Sequence, residues 1–455
     1  MTQESLNATE RKAALSLAAV FGVRMLGLFL IMPVLAIYAQ NYPDYSATMV
    51  GVALGAYGLT QALLQIPLGI VSDRIGRRPV IVGGLLLFAV GSVVAATSDT
   101  LTGIAIGRAI QGTGAIAAAI LALAADVSRD DQRPKVMATI GMCIGFAFAI
   151  ALVLGPLLAS AVGLKGVFWL TAASALLGIG LLLFSVPKVV NRNARREALP
   201  VLSEMGQLLK HKQLWRLNFG VFVLHAMMTA WFVNLPLQLE KAGLDGATQA
   251  WLYLPTLVLS FVFMIPMLIM SARSDAPRLW FRAAIGLLLL AMLMIETEGS
   301  HFIGLVVAVI VFFTGFNFLE ATLPSLLTRI APPGSKGSAS GLYTTCQFLG
   351  AFIGGSAGGY LLQHDGLDGV MLFAIVLLLC WLAITYGMRY PAKAVNAAYD
   401  TPALNAQQAE QLADKLVQIA GVEEARVVTE ERKTYLKIDK KQFDESAVKA
   451  LLKVE

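Results

Sequence analysis

Long apolar runs alternate with short polar turns along this chain, and the length of the runs predicts the architecture. A helix needs about 20 mostly apolar residues to cross a bilayer. Runs of that length begin near residues 13, 47, 79, 101, 135, 166, 214, 249, 280, 303, 337 and 368, so the pattern predicts twelve membrane-spanning helices. The longest polar connection, residues 187–212, divides six spans from six. Within it Leu202, Met205, Leu208 and Leu209 fall at helical spacing, as in an amphipathic helix on a membrane surface; a disordered linker fits the same residues.

After about Tyr390 the pattern changes to that of a small soluble domain. Asn405 and Gln408 are placed for a capping box ahead of an apolar face of Ala409, Leu412, Ala413, Leu416 and Ile419, and Gly421 ends the helix. Strands are predicted near Val422–Val428 and Thr434–Ile438, a weaker one near Ala394–Tyr399, and a second helix carries Phe443, Val448, Leu451 and Leu452. This β-α-β-β-α order suggests a ferredoxin-like module. The expected organisation is therefore a six-helix bundle over 1–186, a linker over 187–212, a second bundle over 213–390 and a soluble α+β domain over 391–455.

The two bundles also echo each other. Ile66-Pro67-Leu68-Gly69-Ile70-Val71-Ser72-Asp73-Arg74 lies over Ile265-Pro266-Met267-Leu268-Ile269-Met270-Ser271-Ala272-Arg273, with Ile, Pro, Ile, Ser and Arg in register. Such a parallel repeat places a substrate site near the midplane between halves.

Composition excludes a soluble protein: 57% of the 455 residues are hydrophobic, 14% are charged, and the mean hydropathy is +0.70. The net charge of +6 reflects topology and implies no nucleic-acid partner. Arg74, Arg77, Arg78, Arg129, Arg133, Lys135, Arg192, Arg195, Arg196, Lys210 and Lys212 occupy alternate connections, whereas the others hold little beyond Lys165 and Lys241. The positive-inside rule then puts both termini in the cytoplasm. Met1 to Lys12 is polar, and no removed signal peptide is expected. Cys143, Cys346 and Cys380 lie in apolar spans without metal-ligand spacing, and the tail has no cysteine, which excludes thiolate metal binding there. No cofactor is expected, and no Walker-type loop supports ATP-driven pumping.

The stretch Gly69-Ile70-Val71-Ser72-Asp73-Arg74-Ile75-Gly76-Arg77-Arg78-Pro79 joins the second and third spans. Asp73 sits at a helix C-terminus, where its charge opposes the macrodipole and needs a partner. Gly69 permits close approach of another helix, and Gly76 supplies the free φ of a tight turn. These residues resemble the GxxxDRxGRR signature of the major facilitator superfamily. The resemblance implies two pseudo-symmetric bundles with alternating access. It implies that Arg77 pairs with Asp126 at the end of the fourth span. It also implies that Asp73 docks on the backbone amides of Gly337 to Gly341 at the start of the eleventh span, latching the inner side shut.

Other polar residues interrupt the spans, and each carries a desolvation cost that an aqueous cavity or a partner would relieve. They include Arg24, Gln61, Gln65, His225, Asn317, Glu320 and Gln347. Arg108 and Gln111 resemble the superfamily's RxxQG element, although Arg108 could simply bond neighbouring carbonyls. In the superfamily fold the first, fourth, seventh and tenth helices line the cavity, which selects Arg24, Arg108, His225 and Glu320. His225 and Glu320 are candidates for a proton site, since an imidazole titrates near neutral pH; an ion pair between Arg24 and Glu320 is the competing account. Gly145, Gly155 and Pro156 resemble an antiporter element, imperfectly, because Ala151 and Ala159 replace glycines.

The drug:proton antiporter branch is the nearest likeness, and the appended tail resembles that of YajR-type transporters. Export of a small amphipathic compound in exchange for protons is the leading expectation. Nutrient uptake or facilitated exchange is one alternative, and a membrane sensor reporting through the tail is another. The expected partners are the small-molecule substrate, the proton and the lipid bilayer, with the tail contacting the core, a second protomer or a further ligand.

Overall fold

The structure, a computed structural model, describes residues 6–129, 132–187, 202–274, 276–298, 302–332, 335–388, 390, 395–402, 404–429, 432–438 and 442–452. Arg192, Arg195 and Arg196 of the linker lie outside the described residues. The first half contains α1 (Ala8–Phe29), α2 (Leu35–Tyr38), α3 (Ala47–Ile75), α4 (Arg77–Thr97), α5 (Leu101–Thr113), α6 (Ala117–Asp126) and α7 (Arg133–Phe184). A connecting helix, α8 (Leu202–Lys210), leads to α9 (Lys212–Lys241), α10 (Gln249–Arg273), α11 (Pro277–Glu298), α12 (Phe302–Ile330), α13 (Lys336–His364) and α14 (Gly366–Thr385). The tail holds β1 (Val395–Asp400), α15 (Ala406–Val417), β2 (Val422–Val428), β3 (Lys433–Ile438) and α16 (Glu445–Leu452).

Ten stretches among the described residues are long and apolar enough to cross a membrane. One of them, 50 residues long, would span about 75 Å at 1.5 Å per residue, which is two crossings. Gly163, at φ 70°, breaks it. The two parts fold back, because Cys143 packs on Gly22 of α1 while Thr171 and Ser174 pack on Gly27. Adding this second crossing and the 29-residue α13 to the ten gives the twelve spans expected.

Local chemistry sets the helix ends. Asn7 and Glu10 form a capping box on α1, and the side chains of Ser46 and Thr100 cap α3 and α5. Gly76, at φ 102°, is the one residue between α3 and α4, a conformation that a side chain would strain. The fourth span is broken: α5 stops at Thr113, Gly114 caps it, and α6 begins at Ala117.

The halves meet along α3 and α13, at the end where α3 begins and α13 finishes. We call this the far end, and the end carrying the α3–α4 turn the switch end. A Cβ on Gly51 would lie 2.0 Å from the Gly355 carbonyl oxygen, one on Gly359 would lie 2.3 Å from the Ala47 carbonyl oxygen, and one on Gly58 would lie 2.6 Å from the Phe348 carbonyl oxygen. The opposite face of α13 presses on α9 in the same way, with Gly350 against Phe222 and Gly354 against Ala226. Small residues allow backbones to approach this closely where lipid provides no hydrophobic drive. Hydrogen bonds between the halves reinforce this end, Thr48 Oγ1 donating to Gln363 Oε1 at 2.6 Å and Gln40 to Glu240 at 3.2 Å.

The tail domain is a three-stranded antiparallel sheet in the order β1-β3-β2. Its helices cover one face through Leu416, Val422, Leu436, Ile438, Val448 and Leu452. Asn405 and Gln408 form the expected capping box. The domain sits at the switch end, where Arg426 of β2 donates to the Ser335 hydroxyl at the start of α13. The linker helix α8 packs Leu208 and Met205 into the core of the second half and leaves Leu209 exposed.

Candidate functional site

At the switch end, Arg77 organises the turn. It is 8% exposed, pairs with Asp73, donates to the Ser72 hydroxyl at 2.8 Å and reaches Asp126 at 3.4 Å. Ser72 in turn donates to the Gly69 carbonyl oxygen at 2.6 Å. Arg78 donates to the carbonyl oxygens of Val186 and Pro187 at the end of the sixth span, while Arg74 points outward. The Arg77–Asp126 pair is as the motif implies. The docking of Asp73 on Gly337 to Gly341 is not found: its described partner is Arg77 in its own half. The reason is geometric, since the halves are sealed at the far end, and Ser335, ahead of those glycines, is engaged by Arg426.

Two arginines lie inside the first half without an acidic partner among the described residues. Arg24, fully buried, donates from Nη2 to Tyr57 Oη at 2.7 Å, the Gly114 carbonyl oxygen at 2.9 Å and Gln61 Oε1 at 3.0 Å. The competing account, an ion pair between Arg24 and Glu320, is therefore not what forms; the Gly114 carbonyl is exposed by the break in the fourth span and takes the guanidinium instead. Arg108 donates to the carbonyl oxygens of Ala53 and Leu54 and to Gln111 Oε1 at 3.0 Å, and Gln111 donates to Ser92 at 2.8 Å. Here the neighbouring-carbonyl reading holds. Tyr57 lies between the two arginines, with its ring centroid 5.8 Å from one guanidinium and 5.3 Å from the other. Tyr57 was not among the residues expected here, although its place four residues before Gln61 on α3 was a usable signal.

The second half brings His225 and Glu320 together. His225 Nε2 is 3.8 Å from Glu320 Oε2 and 2.8 Å from the side-chain nitrogen of Gln347 on α13. His225 Nδ1 is 3.1 Å from the Val221 carbonyl oxygen. Asn317 lies apart from this group and donates to Ser260 on α10. An aromatic layer crosses from one half to the other beside the histidine: Phe29 meets Phe148 at 5.1 Å, Phe148 meets Phe313 and Phe316 at 6.2 Å, and Phe316 meets His225 at 6.1 Å. No sequence signal separated these phenylalanines from ordinary packing residues.

The antiporter-like element is divided. A Cβ on Gly155 would meet the Leu30 carbonyl oxygen at 2.7 Å, whereas one on Gly145 would meet nothing within 4 Å. Pro156 lies within the first part of α7.

Two six-helix bundles closing on each other along glycine faces, with polar and aromatic side chains between them, define a membrane transporter. The chain belongs to the Major Facilitator Superfamily, whose profile matches residues 17–355. The profile of the YajR YAM domain matches residues 401–454. The chain is 41% identical to the inner membrane transport protein YajR of Escherichia coli (strain K12), over 97% of each protein. It is 25% identical to the multidrug resistance protein MdtH of Aeromonas hydrophila, over 84% of this chain and 94% of that one. The human organic anion transporter MFSD10 shares the fold, with a TM-score of 0.63 at 18% identity over 83% of this chain and 99% of that one.

Proposed function

We propose that this transporter exports a small amphipathic compound in exchange for protons, from a bacterial inner membrane with both termini in the cytoplasm. The observation that carries the proposal is the approach of His225 to Glu320, 3.8 Å apart, between the tenth span and the seventh. An imidazole and a carboxylate at that separation can take up or give up a proton between them. The aromatic layer beside them offers an apolar wall for a substrate. With the basic connections inside, the far end is the outer side, and the described arrangement is outside-closed. Asp73, Arg77 and Asp126 then form the inner switch, whose Asp73 is free to cross to α13 when the outer seal opens. An entering proton gains about 2.3 kcal/mol per 100 mV of negative-inside potential, which is sufficient to drive accumulation without ATP. The name of the related MdtH, a multidrug resistance protein, agrees with export.

Flux in proteoliposomes under an imposed pH gradient tests the reading, with Glu320→Gln and His225→Ala beside the parent. Loss of gradient-driven exchange in both variants is expected. Full exchange in both removes the proton site. The contact of Arg426 with Ser335 favours a second element, control of transport by the tail domain. Deleting residues 391–455 then changes the rate of flux without abolishing it, whereas a pure sensor has no flux to change.

A further inference from the structure

The geometry around His225 points to Gln347 as the residue that competes with the proton for its site. We propose that Gln347, in this outside-closed arrangement, donates to the one lone pair of His225 that could be protonated, and thereby ties proton release to the position of α13. The inference rests on His225 and Glu320 being the proton site, and it deepens that reading.

The tautomer decides the chemistry. His225 Nδ1 lies 3.1 Å from the Val221 carbonyl oxygen, and a carbonyl oxygen only accepts, so Nδ1 carries the hydrogen and donates. Nε2 of the neutral ring is then an acceptor. The Gln347 amide nitrogen, 2.8 Å away, donates to it. Glu320 Oε2, at 3.8 Å and with no hydrogen-bond partner of its own among the described residues, is an acceptor facing an acceptor. A proton arriving from solvent at Nε2 makes the ring an imidazolium with two N–H donors. It then faces the amide N–H of Gln347 unfavourably and the Glu320 carboxylate favourably. The two partners stand on different helices, Gln347 on α13 and Glu320 on α12. Protonation therefore moves the Nε2 bond from the helix that seals the far end to one that does not.

The remaining groups around the pair do not duplicate this role. Phe316 of α12 packs edge-on against the imidazole. Tyr343 of α13 lies within electrostatic reach of Glu320, and Cys346 precedes Gln347 on the same helix. No lysine or arginine pairs with either His225 or Glu320 among the described residues. On the far-end side, α13 bears the glycines that touch α3, Gly355 and Gly359. By linkage, if the closed seal favours neutral His225, protonation favours the open seal to the same degree. That sign suits an antiporter, which must lose its proton while closed to the outside.

The test uses the whole chain in lipid nanodiscs, with Cys143, Cys346 and Cys380 replaced by serine and spin labels at Tyr45→Cys and Asp365→Cys on the far end. The separation of the labels is measured by pulsed electron resonance between about pH 5 and 8. In the parent the fraction with a parted far end rises as pH falls. Gln347→Leu, which cannot donate, is expected to shrink that pH-dependent swing at least about threefold. Gln347→Glu places an acceptor beside the imidazolium and is expected to hold the seal closed at low pH. A parent-like swing in both variants, with the swing lost in His225→Ala, overturns the role of Gln347 and leaves the proton site standing. A swing that survives His225→Ala and Glu320→Gln, or a parent without one, overturns both. Should Gln347→Leu fail to fold, the seal held closed at low pH in Gln347→Glu, or its parent-like opening, decides alone.

Discussion

The Arg24 guanidinium donates to the Gly114 carbonyl oxygen, 2.9 Å away, at the point where the fourth span is broken between Thr113 and Ala117. A break inside a membrane leaves backbone carbonyls without their intrahelical donors. A buried cation on a neighbouring helix fills that need and loses part of its own desolvation cost in doing so.

Arg24→Ala is accordingly expected to lower the stability of the detergent-solubilised protein by about 3 kcal/mol, since it strands acceptors that had bonded a charged donor. Arg24→Lys recovers less than half, because its ammonium ends one bond short of the Nη2 that donates to Tyr57, Gln61 and Gly114. Apparent melting temperatures measured side by side check both.

Gly51 and Gly355 predict a different kind of loss. Backbone stands on both sides of the contact, 2.0 Å from where a Cβ on Gly51 would sit, so Gly51→Val prevents closure of the far end while each bundle still folds. Transport is abolished, and a thiol placed at Thr48 becomes reactive to a membrane-impermeant maleimide. Gly141→Ala serves as the contrast: a Cβ there meets nothing within 4 Å, and the expected change is within about 0.5 kcal/mol, with flux preserved.

Within the switch, Arg77 and Asp73 should contribute unequally to stability. Arg77 is 8% exposed and Asp73 is 30% exposed. Arg77→Ala is expected to cost about 2 kcal/mol through lost charged hydrogen bonds, and Asp73→Asn about 0.5 kcal/mol, as for a solvent-screened pair. If the proposed crossing of Asp73 to α13 occurs, Asp73→Asn nonetheless slows transport, so the two readouts separate. Thermal melts set beside initial rates of flux make the comparison.

In the tail, Asp444 accepts from the Ser446 hydroxyl at 2.5 Å and from the Ala447 amide at 3.0 Å, and these bonds hold its carboxyl below the ordinary aspartate value of 3.8. A depressed folded pKa contributes stability above the unfolded value and loses it as pH falls through the folded one. Asp444→Asn should therefore loosen α16 at neutral pH and match the parent at pH values below the depressed pKa. Amide exchange of residues 445–452 in the full chain, corrected for intrinsic rate, gives the difference at each pH.

Much of this was legible in the chain. The spans were readable because a bilayer core tolerates no unpaired backbone group, so their length and apolarity follow from the solvent itself. The Asn405–Gln408 box formed, and so did the Arg77–Asp126 pair, because each joins groups whose charge or donor pattern has few other outlets. Asp73 pairs with Arg77 here, and the choice between Arg77 and the amides of α13 was not legible in the sequence, because the two are equally good on chemistry alone; which one it takes depends on which end of the molecule is closed. Tyr57, the phenylalanine layer and Gln347 acquired meaning only from their neighbours.

Sequence by itself determined that this chain folds as two related helical bundles in a membrane with a small α+β domain behind them, since hydrophobic length, turn glycines and helix caps act locally. Tertiary structure alone decided that the far end is sealed, that Arg24 serves a broken helix and that His225 stands between Gln347 and Glu320. The seal is made of backbone oxygens pressed against glycines, and the histidine's partners come from helices about a hundred residues further along the chain. Contacts of that kind leave no periodic trace in the residues that make them.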